Sequence, residues 1–202
     1  LKAVDPRWQS DPGFLFARIE HLRRQDKYEE AAKLIAEAPN DAAKLVNTGE
    51  WWNEQRIVAR GLADKGKFKA AYAVAARHFA TSPVDVVDAE FHAGWYALRG
   101  LSEPEKAAGH FRKILQVSDR PLSASRAWYW LGRASEMSGD GKAPEYFTKA
   151  SRFTSTFYGQ LAGARLKRNG LDIPYPAPSE QDRQSFATRE AVQAIARFEA
   201  AG

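Results

Sequence analysis

Four copies of one short pattern recur along the chain, and they constrain its fold more than any other feature. Segments at 26–32, 66–72, 102–108 and 140–146 are similar, and each contains a small residue near its centre or end: Ala31, Ala71, Ala107 and Ala143. These alanines are 40, 36 and 36 residues apart, and a separate helical pattern precedes each segment. The repeating unit is therefore a helical hairpin, close in length to the tetratricopeptide repeat of about 34 residues.

Composition supports a purely helical fold. The chain contains 35 Ala against 15 Val plus Ile and 6 Thr, so helix formers dominate and strand formers are scarce. Apolar residues recur at helical spacing, and no alternating pattern persists for six residues. We expect an all-α fold, a tetratricopeptide-like superhelix (α-solenoid) in which stacked hairpins leave a concave face.

The sequence divides into three expected parts. Residues 1–169 form the repeat domain, and Ser151–Asn169 is predicted to be one further helix. Residues 170–178 carry three prolines at alternate positions and are predicted to be an extended linker. Residues 179–202 are predicted to be one last helix, which leads toward a domain that this sequence lacks.

Five ordered segments combine aromatic residues with small or basic ones. They are WQSDPGFLFAR from Trp8, WWNEQR from Trp51, AEFHAGW from Ala89, WYWLGRA from Trp128 and TFYGQLA from Thr156. Together they resemble the superhelical region of soluble lytic murein transglycosylases. The resemblance covers nearly the whole chain and includes the Trp-x-x-Leu-Gly start of a tetratricopeptide unit at Trp128.

This resemblance implies a function in the cell wall. Members of that family are periplasmic enzymes of Gram-negative bacteria, and they cleave the glycan strand of peptidoglycan without water, leaving a 1,6-anhydro end. A separate lysozyme-like domain holds the catalytic Glu. The resemblance thus implies a non-catalytic scaffold whose partners are peptidoglycan, through the parent enzyme, and its own catalytic domain.

The catalytic signatures of the family are absent from this chain. Its catalytic Glu is followed by Ser, and no Glu-Ser pair occurs here. Its Gly-Leu-Met-Gln segment is also missing, because the only Met, Met137, is followed by Ser138. We therefore expect no catalytic residue and no activity from this chain alone. The alternative is a stand-alone tetratricopeptide-like module whose partner is another periplasmic protein.

Consecutive aromatics and scattered arginines are the candidate binding residues. Neighbouring helical residues point about 100° apart, so three adjacent rings cannot all face one core, and at least one should lie at a groove. Basic groups on an inner face would suit the carboxylates of peptidoglycan. The candidates for substrate or partner binding are Arg56, Arg60, Arg126, Trp128, Tyr129, Trp130 and Arg133.

A second candidate surface lies near the expected junction with the catalytic domain. Phe157, Tyr158 and Gln160 surround Gly159, an unusual combination for a helix. A kinked helix start explains this pattern equally well. We assign these three residues as candidates for domain docking.

Several classes of function lack support. The four histidines, on four predicted helices, have no metal-ligand spacing, and the glycines form no nucleotide-binding motif, so we expect no metal and no cofactor. The net charge of +5 is modest and its basic residues alternate with acidic ones, which argues against nucleic acid as a partner. No apolar run is long enough to span a membrane.

Overall fold

The computed structural model describes residues 5, 8, 9, 11–168 and 177–202, and every regular element in these ranges is helical. The predicted all-α class is confirmed. None of the described helices has the length and apolar character needed to cross a membrane. The helices are α1 (Pro12–Arg23), α2 (Tyr28–Glu37), α3 (Thr48–Asp64), α4 (Phe68–Ala76), α5 (Pro83–Trp95), α6 (Pro104–Val117), α7 (Pro121–Ser138), α8 (Ala143–Ser151), α9 (Phe157–Arg165), α10 (Glu180–Ala187) and α11 (Glu190–Ala201).

Side-chain caps and prolines define where several helices begin. Asp11 accepts a hydrogen bond from the Phe14 amide at 3.0 Å, directly before the proline that opens α1. Ser82 does the same for the Asp85 amide at the start of α5. Such caps satisfy amides that have no partner inside the helix, while proline at the first position sacrifices no hydrogen bond.

Packing in the first unit, residues 1–170, is mainly between helices that are close in sequence. Each helix from α1 to α9 packs against the next, and contacts also join α1 with α3, α2 with α4, α3 with α5, and α7 with α9. The aligned alanines Ala31, Ala71 and Ala107 are fully buried, as their small size and their position in the repeat predict. Local helix pairing therefore builds most of the core of this unit.

Two glycines let aromatic rings lie directly on a helix backbone. A Cβ placed on Gly132 of α7 would lie 2.5 Å from the ring of Phe147 on α8. A Cβ on Gly94 of α5 would lie equally close to Phe111 on α6. Both rings are buried, so they cannot swing away, and each glycine sets the distance between its two helices.

A short π-helix, Tyr96–Gly100, extends α5, and the sequence did not predict it. Wide turns of this kind are rare and often occur at functional sites. It supplies the buried side chains of Tyr96 and Leu98.

The helix predicted for Ser151–Asn169 is wrong in its first turns and at its end, because α9 stops at Arg165. Helix α8 continues to Ser151, and α9 begins only at Phe157. Thr156 separates them, because its hydroxyl donates to the Phe153 carbonyl and accepts from the Gly159 amide, which caps a new helix. The far end of the prediction, Asn169, lies outside the described residues.

The described part of the second unit, residues 177–202, contains two helices instead of the single one predicted. Ser179 and Asp182 form a capping box at the start of α10. Thr188 ends α10, and Arg189 has an extended backbone and starts α11. Most of the predicted linker lies outside the described residues; Ala177 and Pro178, its described part, are exposed and lack regular structure.

Candidate ligand-binding face

The aligned helices α3, α5 and α7, which open successive pairs, bring several predicted site residues together. Side chains one turn apart on a helix lie on the same face. On α7 this spacing relates Arg126 to Trp130, and both contact Phe91 of α5. Tyr158 of α9 also contacts Trp130, at a centroid distance of 6.4 Å. We call Arg56, Asp88, Phe91, Arg126, Trp130 and Tyr158 the arginine–aromatic row.

Asp88 is the acidic member of the row, and its carboxylate already has partners within the protein. Its carboxylate accepts a hydrogen bond from the Trp52 indole at 3.1 Å and lies 3.5 Å from the guanidinium of Arg56. Arg56 also donates to Asn53 at 3.0 Å. The charges of Asp88 and Arg56 therefore largely compensate each other.

Arg126 differs because no described carboxylate lies within ion-pair distance of it. Its guanidinium carbon lies 4.2 Å from the centroid of the Phe91 ring, a cation–π contact. Burial lowers the pKa of Arg126 below its usual value, and the more distant charge of Asp88 opposes this shift. Arginine nevertheless stays charged in proteins. The result is a half-buried cation with unused hydrogen-bonding capacity.

Three buried donors on α7 form no hydrogen bond with the described residues, and two of them belong to the row: Nε of Arg126 and Nε1 of Trp130. The third, Nε of Arg133, lies 2.9 Å from the carboxylate of Glu136, so its charge has a partner. Buried donors are almost always paired in native proteins, and an exception points to a water, an ion or a ligand. Because the donors of Arg126 and Trp130 belong to residues one turn apart, one anionic group or one chain of polar oxygens can satisfy both.

Other predicted site residues belong to the packing of neighbouring helices. Trp128 stacks on Tyr146 of α8 at 5.8 Å, and the Lys149 ammonium lies over its ring. Tyr129 is buried between Phe147 and Tyr158. The three consecutive aromatics thus point in different directions, as the helical geometry predicted.

Arg133 follows Trp130 by three residues on α7, and a carboxylate compensates its charge. Its guanidinium lies 2.9 Å from the carboxylate of Glu136, which also receives a hydrogen bond from Arg165 of α9. Arg133 is therefore part of a bridge between α7 and α9.

The docking candidates on α9 have three different surroundings. Phe157 is 66% exposed and contacts only the ring of Tyr158 among the described aromatic side chains. The Gln160 amide donates to the Thr154 carbonyl at 3.3 Å, in the segment just before α9. Tyr158 belongs to the arginine–aromatic row, where its ring contacts that of Trp130. Of the three, Phe157 has the surface that a docked domain would cover.

Arg60 lies one turn beyond Arg56 on α3 and lines a separate cavity of about 340 Å³. The walls come from α3, α4, α5 and the π-helix, and they include Arg60, Asp64, Phe68, Phe91, His92, Trp95 and Tyr96. No described carboxylate lies within ion-pair distance of Arg60. The size falls within the usual range for small-ligand sites.

Sequence reasoning missed the contribution of α5 to this face. Asp88, Phe91, His92 and Trp95 follow helical spacing, and the segment from Ala89 was noticed only for its resemblance to a family. A sequence signal for this face exists: an acidic residue, a histidine and two large aromatic residues at helical spacing place polar and aromatic side chains on one face of the helix.

A buried polar cluster centred on Glu90 lies among α4, α5 and α6. The carboxylate accepts hydrogen bonds from His110 at 2.5 Å and from Lys113 at 3.0 Å, and it lies 3.4 Å from Nε2 of His78. Burial alone would raise the pKa of Glu90, but these three partners outweigh it and hold the pKa well below its usual value. The cluster joins three helices, and its carboxylate is fully occupied.

Comparison of the chain with protein-family models, with curated proteins and with solved structures gives no match. Among the described residues, no group of three or more His, Asp or Glu is arranged to hold a metal ion. The polar and aromatic groups that this face presents are arginine guanidinium groups, an indole N–H group and aromatic rings.

Proposed function

We propose that the first unit is a tetratricopeptide-like superhelix that binds an acidic polymer along the arginine–aromatic row. The repeat spacing of 40, 36 and 36 residues supports the superhelix, as does the packing of each helix with its neighbours in sequence. The two glycine–aromatic contacts support it further, because they repeat the same close approach in successive helix pairs.

The unsatisfied donors of Arg126 and Trp130 carry the proposal for the ligand. A cation and an indole N–H that share one helix face can bind a carboxylate, and the adjacent rings of Phe91 and Tyr158 can stack against a sugar. Peptidoglycan combines carboxylates with sugar rings. It is also the ligand that the resemblance to lytic transglycosylases implies, so both arguments favour the same polymer.

We place the chain in the Gram-negative periplasm, as the scaffold of a lytic transglycosylase. The scaffold positions the glycan strand and holds the catalytic domain, and the exposed Phe157 supplies a docking contact. The reading frame beyond Gly202 tests this assignment. A following lysozyme-like domain with a Glu-Ser pair supports it, whereas a stop codon at this point contradicts it.

Retention on purified peptidoglycan sacculi tests the binding proposal. We expect the wild-type chain to bind at low salt and to be released as salt rises, because screening weakens charge-based contacts. Arg126→Gln removes the charge, and Trp130→Phe removes only the indole N–H while keeping a ring. Each should weaken retention, the first by about tenfold.

Arg24→Gln is the matched control, since Arg24 is an exposed arginine that pairs within α1. It should bind like wild type. The proposal fails if the wild-type chain is not retained even at low salt, or if Arg126→Gln and Trp130→Phe bind as well as the control.

One observation favours the alternative function, a module that binds another protein. The described apolar residues Phe186, Ile195 and Phe198 of the second unit are all exposed, and Phe198 is 79% exposed. Exposed apolar residues at helical spacing are typical of a helix that packs against a partner. Binding to a protein with no retention on sacculi would support this alternative.

A further inference from the structure

The cavity beside Arg60 contains two opposite charges that do not pair with each other. Arg60 and Asp64 lie four residues apart on α3, a spacing at which side chains of opposite charge commonly form an ion pair. Here no nitrogen of Arg60 lies within 4.0 Å of the Asp64 carboxylate, and neither group pairs with any other described side chain. The cavity therefore presents one free cation and one free anion.

The other polar groups of the cavity are neutral. His92 donates its Nδ1 proton to the Asp88 carbonyl at 2.8 Å, and burial lowers its pKa, so the ring is uncharged and Nε2 is an acceptor. Burial raises the pKa of Tyr96 to about 12, so its phenol keeps its proton. Arg60 and Asp64 thus remain the only charged side chains among the described residues that line the cavity.

The remaining surface of the cavity is aromatic. The rings of Phe68, Phe91 and Trp95 line it, and the ring of Tyr96 lies 5.7 Å from that of Trp95. Aromatic walls favour an apolar or aromatic side chain through area burial and ring contacts. A ligand with a single charge would form only one of the two ion pairs and would leave the other charge of the protein to water.

We propose that this cavity binds a zwitterion, the α-amino and α-carboxylate groups of an amino acid or of a short peptide with an apolar side chain. Arg60 pairs with the carboxylate, Asp64 pairs with the ammonium group, and the aromatic walls cover the side chain. This site goes beyond the proposed function, because it uses other residues than Arg126 and Trp130 and does not require a glycan.

Isothermal titration of the whole chain with matched ligands tests the proposal. L-Phenylalanine carries both charges, N-acetyl-L-phenylalanine lacks the cation, and L-phenylalaninamide lacks the anion. Alanyl-phenylalanine keeps both charges at a larger separation. We expect phenylalanine or the dipeptide to bind, and each singly charged analogue to bind about tenfold more weakly. Whichever zwitterion binds more tightly identifies the source as free amino acid or peptide.

Charge-removing variants give the second half of the test. Arg60→Gln should weaken phenylalanine about tenfold and leave the amide unaffected, because the amide has no carboxylate for Arg60. Asp64→Asn should weaken phenylalanine and leave the N-acetyl compound unaffected. Both residues are exposed, so the variants should fold, and far-ultraviolet circular dichroism checks this.

Lys33 and Glu37 supply the control, since they are also exposed and four residues apart, on α2 and away from the cavity. Lys33→Gln and Glu37→Gln should not change binding. The proposal is overturned if neither zwitterion binds up to about 10 mM, if the singly charged analogues bind equally well, or if Arg60→Gln and Asp64→Asn bind like wild type. Retention on sacculi depends on Arg126 and Trp130, so the two proposals can fail separately.

Discussion

At the scale of single residues, several glycines of this protein lie directly against aromatic rings. The ring of Phe147 fills the space where a side chain of residue 132 would begin, and Phe111 does the same at Gly94. The Trp-x-x-Leu-Gly pattern at Trp128 includes this glycine, but the pattern alone does not identify the ring that it accommodates.

Gly132→Ala should therefore destabilise the protein. Its new Cβ would lie 2.5 Å from a buried ring, and overpacking of a core costs about 1–3 kcal/mol. Urea unfolding measures the change in the free energy of unfolding. Gly109→Ala is the control, because nothing lies within 4 Å of a Cβ at that position in α6. The control should be neutral or stabilising by up to about 1 kcal/mol, since alanine favours a helix over glycine. Equal effects of the two substitutions would contradict this account.

At the scale of helices, buried polar groups connect elements that the repeat pattern only places side by side. Gln55 of α3 is fully buried; its amide donates to the Arg77 carbonyl at 3.2 Å, and its oxygen accepts from the Phe79 amide at 3.0 Å. It thus satisfies the backbone where α4 ends. Glu54, the residue before it, pairs with Arg23 of α1 through two hydrogen bonds.

The cluster around Glu90 should make stability depend on acidity. Because the pKa of Glu90 in the folded protein lies below its usual 4.5, the stabilisation is complete above that pH and is lost as pH falls below it. Between about pH 5 and pH 3, the free energy of unfolding of wild type should fall more steeply than that of Glu90→Gln. The difference in slope is at most about 1.4 kcal/mol per pH unit.

Glu105→Gln, which removes an exposed carboxylate of α6, should keep the steep wild-type slope. Carboxyl titration of the wild-type chain by nuclear magnetic resonance provides a second measurement, which holds even if Glu90→Gln is too unstable to study. A Glu90 carboxyl that titrates at its usual value, or equal slopes for wild type and Glu90→Gln, would show that the cluster does not stabilise the ionised form.

At the scale of the whole molecule, the two units differ in how much they bury. The first contains extended clusters of fully buried apolar residues, including Ile19, Leu62 and Ile114. In the described part of the second unit, only Val192 is partly buried. Helices of this length are marginally stable in water without tertiary packing.

Hydrogen exchange should reveal this difference. Backbone amides of α10 and α11 should exchange rapidly, while those in the middle of α7 should be protected up to the level of global unfolding. Exchange is carried out on the intact chain and read by mass spectrometry of its peptide fragments, which measures α7, α10 and α11 in one experiment. Helix α5 serves as an internal reference. Protection of α11 equal to that of α7 would contradict this expectation.

The helical class, the order of the helices and the candidate arginines could all be predicted from the sequence. Repeat spacing and composition reflect helix propensity and apolar periodicity, and both depend only on residues that are close together in the sequence. The sequence pattern did not predict the separate starts of α9 and α11. The start of α9 depends on the hydrogen bonds of one threonine, and that of α11 depends on one residue with an extended backbone. The spacing of apolar residues contains neither signal. The π-helix after α5 was missed for the same reason.

Which arginines are free was decided only by the tertiary structure. Arg56 and Arg126 looked alike as basic residues at helical spacing, yet Arg56 meets the carboxylate of Asp88 on another helix, while Arg126 meets the ring of Phe91. Arg133 is different, because its partner Glu136 lies three residues further along the same helix. The pairing of charges between helices depends on distances between residues far apart in the chain. By itself, the sequence determined that this protein is helical and repetitive; tertiary packing selected the charges that remain available to a ligand.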